Sequence, residues 1–119
     1  MNKNEENRVL SLLSLCQKAG KVASGEDTCE NAIRSGQAFL VLLSSDASAT
    51  TRKKFLNRCH YYEVPLATLP FNKEQLGHTI GKALRSCAAI CEEGFAKRIL
   101  EYPIQIEEVP KEEACKADN

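Results

Sequence analysis

Apolar residues at Val9, Leu12, Leu13, Cys16 and Ala19 recur at i, i+3, i+4, i+7 and i+10. That period draws a stripe down one side of a helix, and Gly20 ends it as a natural residue for the position after a C-cap. Lys18 and Lys21 flank this carbonyl end, where cations suit the helix dipole. The pattern then shortens. Lys21-Val22-Ala23-Ser24 has room only for a short strand, and a second helix starts near Glu26 with Cys29, Ala32 and Ile33 on one face before Gly36. Its first turn is acidic (Glu26, Asp27, Glu30), which stabilises a helix N-terminus.

Phe39-Leu40-Val41-Leu42-Leu43 is continuously apolar between turn residues, the mark of a strand covered on both faces. Ser48 can N-cap a third helix over residues 49–62, with Phe55, Cys59 and Tyr62 on its inner stripe. Residues 65–69 form a further strand. Asn72 caps a short helix that runs through Ile80 and stops at Gly81. Residues 86–91, rich in small side chains, make the last strand, and residues 94–100 the last helix. Strands alternating with helices predict an α/β fold: a three-layer α/β/α sandwich around a central mixed four-stranded sheet. The pattern places one domain over residues 1–102. Beyond it the composition turns to Glu, Lys and Pro, so residues 103–119 are expected to be an acidic, flexible tail.

A chain of 119 residues supports a single core. No apolar run approaches the ~20 residues of a membrane span, and the polar start Met1-Asn2-Lys3-Asn4-Glu5-Glu6 is no secretory leader. The expectation is a cytoplasmic protein without a membrane partner. The formal charge is zero, which on its face argues against nucleic acid. The distribution says otherwise. Residues 8–86 hold eleven Lys/Arg against six Asp/Glu, whereas residues 100–119 hold six acids against Lys111 and Lys116. A mildly basic body with an acidic end is compatible with RNA.

Six cysteines (16, 29, 59, 87, 91, 115) suggest a disulfide or metal framework, but their spacing opposes both. There is no C-x-x-C pair. Cys16 and Cys29 fall on apolar helix faces, where cysteine behaves as a small buried hydrophobe. Structural thiols, with neither metal nor cofactor, are expected. Enzyme motifs fare no better. Gly20 and Gly25 have the glycine spacing of a phosphate-binding loop, but Glu26 and Asp27 stand where that loop needs Lys and Ser/Thr, and they would repel a triphosphate. Cys59 and His60 are neighbours on a helix and point roughly 100° apart, so they form no couple by themselves. His78 is a lone histidine, read as a surface or partly packed residue rather than a base. A non-enzymatic protein is the reading.

Three blocks, in order and spacing, carry a resemblance: Gly20-Lys21-Val22-Ala23-Ser24-Gly25-Glu26-Asp27-Thr28, the apolar strand of residues 39–43 leading into Ser44-Ser45-Asp46-Ala47-Ser48, and Leu76-Gly77-His78-Thr79-Ile80-Gly81-Lys82-Ala83-Leu84-Arg85. Over residues 8–100 the chain resembles the ribosomal protein L7Ae/L30e superfamily, above all its small bacterial YlxQ-like branch. The resemblance implies a non-catalytic protein that binds structured, kink-turn-like RNA and is associated with the ribosome. The expectation is a monomer, with RNA rather than DNA as partner. In kink-turn-binding members the first loop reads roughly Gly-x-Asn-Glu-x-x-Lys. Here Asp27 stands in place of Asn, Thr28 of Glu and Asn31 of Lys.

Those blocks supply a binding mechanism. Gly25 lets backbone approach a ligand closely, and the helix after it offers free N–H groups. Glu26, Asp27 and Thr28 can hydrogen-bond base edges, which an interrupted RNA helix exposes and a regular A-form groove hides. Lys82 and Arg85 are candidate phosphate contacts, Ala83 and Leu84 can pack on an unstacked base, and Lys21, Asn31 and Arg34 lie alongside. The alternative is a protein-interaction module on the same fold without RNA, its acidic parts suited to a basic partner.

Overall fold

The computed structural model describes residues 1–108. Asn2 caps the first helix, α1 (Lys3–Lys18), through a reciprocal capping box with Glu5, and the stripe Val9, Leu12, Leu13 and Cys16 is buried as its period demands. The chain continues through β1 (Val22–Ser24), α2 (Glu26–Arg34), β2 (Leu40–Leu43), α3 (Ala49–Tyr62), β3 (Leu66–Thr68), α4 (Lys73–Thr79), β4 (Cys87–Ile90), α5 (Glu93–Leu100) and β5 (Gln105–Glu107). Ser48 accepts the Thr51 amide and Asn72 that of Gln75, so both sequence-assigned N-caps act as caps.

The sheet runs β1-β4-β2-β3-β5. β2 and β3 are parallel, as α3 between them requires, while β4 enters antiparallel between β1 and β2. β2 and β4 are central and every residue of both is buried. Two apolar layers flank them. Alternate residues Leu40, Leu42, Ala88 and Ile90 face a cluster with α1, α4 and α5, and Val41, Leu43, Cys87 and Ala89 face one with α2 and α3. This is the expected three-layer sandwich.

Three details differ from the sequence expectation. Phe39, placed in the doubly covered strand, stands before β2 and is exposed. The sheet has five strands rather than four: β5 pairs antiparallel with β3 and lies past Tyr102, in the segment expected to be loose. Gln-Ile-Glu carries no apolar run, so its pairing comes from backbone hydrogen bonds and from Glu107, which accepts from the Thr68 hydroxyl at 2.7 Å and meets Arg52 at 3.2 Å. Tyr62, assigned to the inner stripe of α3, is instead exposed at the helix end, edge-on to Tyr61. The expectation for the remainder of the tail falls on residues 109–119, outside the described residues.

Candidate functional site

β1 ends at Ser24, and the turn into α2 is made by Gly25 at φ 92, ψ 151, a conformation that L side chains rarely adopt. A Cβ built there would meet nothing within 4 Å, so the backbone at this point lies open. Gly25 supplies no side-chain cap, which leaves the first amides of α2 to solvent. Its own N–H donates to the Cys87 carbonyl at 3.4 Å and ties the junction to the start of β4.

That tie brings in the second block. Gly81 (φ 75) turns the chain back at the end of α4, and the Lys82 N–H donates to the Gly77 carbonyl at 2.7 Å. Gly77 is buried under this turn. A Cβ on it would stand 2.6 Å from the Ala83 carbonyl oxygen, closer than real Cβ contacts come, so a glycine is what lets the loop lie down on α4. Arg85 then spans the gap. Its backbone N–H donates to the Lys73 carbonyl at 3.1 Å, its Nε to the Ser24 hydroxyl at 3.2 Å and its Nη1 to the Leu84 carbonyl at 2.8 Å. Gly25 and residues 81–85, some sixty positions apart in sequence, therefore form one surface. Leu84, 58% exposed, is the most exposed large apolar side chain among the described residues.

Asp27, Thr28, Asn31 and Arg34 form the exposed stripe of α2, spaced three or four apart. Glu26 does not join it. Its carboxylate accepts from the Thr51 hydroxyl at 2.9 Å and meets Lys54 at 3.4 Å, turned towards α3. Beside it, Glu30 takes a 2.7 Å hydrogen bond from Arg58 and also meets Lys54 and Arg34. The Arg58 hydrogen bond, with Lys54 and Arg34 behind it, holds the Glu30 carboxyl below its usual range although burial pushes the other way.

Ion pairing thus sorts the basic body. Arg34, Arg52, Lys54 and Arg58 are spent on carboxylates, whereas Lys21 and Lys82 have no ion pair and Arg85 holds neutral groups, among the described residues. Position separates the candidates further. Gly25, Asp27, Thr28 and residues 82–85 converge at the junction, with Asn31 one turn along α2. Lys21 sits at the opposite end of β1, about 13 Å away at strand rise. Arg34, in the last turn of α2, lies at that far end too. Sequence reasoning gave no site role to Ser24 or Gly77, though both stand in the blocks that carry the resemblance, and it missed the Glu30–Arg58 pair. Gly77 also left a local trace, as a glycine inside a helical pattern.

The comparisons with known proteins agree with this architecture. A model of the ribosomal protein L7Ae/L30e/S12e/Gadd45 family matches residues 7–100. RNA-binding protein YlxQ of Bacillus subtilis is 43% identical over 89 residues, covering 75% of this chain and 88% of its own length. RNA-binding protein YlxQ of Enterococcus faecium is 36% identical over 101 residues, covering 85% and 96%. A solved Bacillus halodurans protein of unknown function superposes with a TM-score of 0.74 at 35% identity, over 78% of this chain and 93% of that one. The 15.5 kD RNA binding protein of Giardia lamblia superposes at 0.67 with 18% identity, over 85% and 86%, which speaks to the fold alone. With the family model spanning both halves of the Gly25 and Lys82–Arg85 surface, the chain belongs to the ribosomal protein L7Ae/L30e/S12e/Gadd45 family.

Proposed function

We propose that this protein is a non-catalytic RNA-binding protein that takes an interrupted, kink-turn-like RNA helix on the surface made by Gly25, the exposed Asp27, Thr28 and Asn31 of α2 and residues 82–85. The observation that carries the reading is the Arg85–Ser24 hydrogen bond, which fixes a cationic loop with an exposed Leu84 against an open helix N-terminus. Each part has a task. The free amides of α2 and the Thr28 hydroxyl meet base edges or phosphate oxygens. Leu84 and Ala83 pack on an unstacked base, and Lys82 and Arg85 hold the backbone through charge. Asn31 in place of a lysine, and Asp27 with its carboxylate, lower the affinity for phosphate relative to the kink-turn pattern. The YlxQ relatives, named as RNA-binding, support RNA as the partner, and the ribosomal family supports ribosomal RNA as a source of such a helix.

The test is binding of a kink-turn RNA and of a plain duplex by wild type, Lys82→Ala and Arg85→Ala across a salt series. Wild type should prefer the kink. Each variant should weaken binding and flatten the salt dependence by about one phosphate contact. Equal, salt-insensitive affinity for both RNAs, unchanged by Arg85→Ala, would defeat the proposal and leave the protein-interaction reading in its place.

A further inference from the structure

A cavity of about 520 Å³ opens at the other end of β1, lined by Gly20, Lys21, Val22, Ala23, Gly36, Gln37, Phe39 and Cys91. Its construction is unlike that of a gap left by poor packing. Gly20 and Gly36 close α1 and α2 in left-handed conformations (φ 74 and 78), and a Cβ on either would meet nothing within 4 Å, so both leave the mouth unobstructed. Part of the carbonyl set in the last turns of the two helices is already taken: Lys21 N–H donates to Cys16, and Gln37 and Ala38 N–H to Ala32. No carboxylate lines the cavity, and the Lys21 ammonium there has no ion pair among the described residues. Lys21 and Ala23 share one face of β1 by alternation, the face on which α2 packs. Phe39, 40% exposed, stands at the entrance to β2, and the side-chain amide of the exposed Gln37 makes no hydrogen bond among the described residues. β1 is an edge strand and leaves backbone donors and acceptors free along the same wall.

We infer that this cavity is a second RNA contact, taking one unstacked nucleotide of a single-stranded extension whose folded part occupies the Gly25 surface. It rests on the RNA reading above and adds a site about 13 Å from Gly25 along β1. The volume is that of a small-ligand pocket. An aromatic ring beside a free cation is the pairing that holds single-stranded nucleic acid, the ring stacking a base and the ammonium meeting its phosphate. Gln37 can both donate to and accept from a base edge. Lys21 and Phe39 therefore act together here, and Lys21 is not an outlying member of the Gly25 surface.

The cavity carries its own reporter. Cys91 is half-buried in the lining, whereas Cys16, Cys29, Cys59 and Cys87 are buried. The experiment compares a blunt kink-turn RNA with the same RNA bearing a six-nucleotide single-stranded extension. Affinity is measured by fluorescence anisotropy, and alkylation of Cys91 by iodoacetamide is followed by fragment-ion mass spectrometry. The extension should tighten wild-type binding at least about five-fold and should slow alkylation of Cys91. In Phe39→Leu and Lys21→Gln that gain should vanish while blunt RNA is held as before. Phe39→Leu keeps an apolar side chain, and Phe39→Tyr, which keeps the ring, should retain the gain. Equal gain in wild type and both variants, or Cys91 alkylated equally fast with and without the extended RNA, overturns the second site and leaves the first intact. If wild type binds neither RNA, both readings fall together.

Discussion

Gly77→Ala tests the geometry on which the candidate surface depends. The substitution is made in the interior of α4, where alanine in place of glycine would ordinarily stabilise by about 1 kcal/mol. Here the new Cβ would stand 2.6 Å from the Ala83 carbonyl oxygen, 2.9 Å from its carbon and 3.1 Å from the Leu84 nitrogen, all backbone atoms. Ordinary contact begins at 3.4 Å, so the loop must lift by about 0.8 Å at its nearest atom. It cannot do so freely, because Lys82 N–H is bonded to the Gly77 carbonyl at 2.7 Å and Arg85 N–H to Lys73 at 3.1 Å. Forcing a methyl into such a contact costs about 1–3 kcal/mol, which outweighs the propensity gain. The net expectation is a loss near 1 kcal/mol and a melting temperature lower by about 4 °C. The larger effect should fall on RNA. Leu84 and Arg85 are carried away from Gly25, and losing one charge-assisted contact is worth about 1.5–3 kcal/mol, or roughly ten- to hundred-fold in affinity. Calorimetry and a gel-shift titration measure the two quantities on the same preparation. A variant that melts at or above the wild-type temperature and binds as tightly would refute both the packing argument and the role of the loop.

Glu30→Gln should destabilise by about 1 kcal/mol at pH 7, the scale of a partly exposed ion-pair network. Because the folded-state pKa of Glu30 is lowered, the wild-type advantage should be complete above the unfolded carboxylate value near 4.3 and fade as pH falls through the lower folded value, so urea midpoints that stay equally separated at pH 7 and pH 3 would contradict it. Ending the chain at Pro103 removes β5 and the Glu107 contacts with Arg52 and Thr68, and should lower the melting temperature by several degrees; an unchanged transition would mean that the fifth strand contributes nothing. Asp27→Asn with Asn31→Lys removes a carboxylate and adds a cation on the exposed stripe of α2, and should tighten kink-turn RNA over plain duplex by about 1–3 kcal/mol, with no change in the ratio counting against the assigned surface.

The sequence by itself determined the layers. The period of Val9, Leu12, Leu13 and Cys16 could bury only one side of a helix, and the unbroken Leu40-Val41-Leu42-Leu43 run had to be covered on both faces. The caps at Ser48 and Asn72 were equally local, since each is satisfied within three residues of itself. Local pattern also gave Gly25 and the 81–85 loop as separate candidates. Tertiary structure alone decided that they are one surface, because the Arg85–Ser24 bond and the Gly25–Cys87 bond span sixty-odd residues and leave no periodicity to read. It decided which cations remain available, since Arg34, Lys54 and Arg58 look no different from Lys82 in sequence until Glu26 and Glu30 are placed beside them. It separated Lys21 from Gly25 across the length of a strand. It also added β5, whose three residues are held by backbone pairing and one glutamate rather than by apolar burial, the signal on which sequence patterns depend.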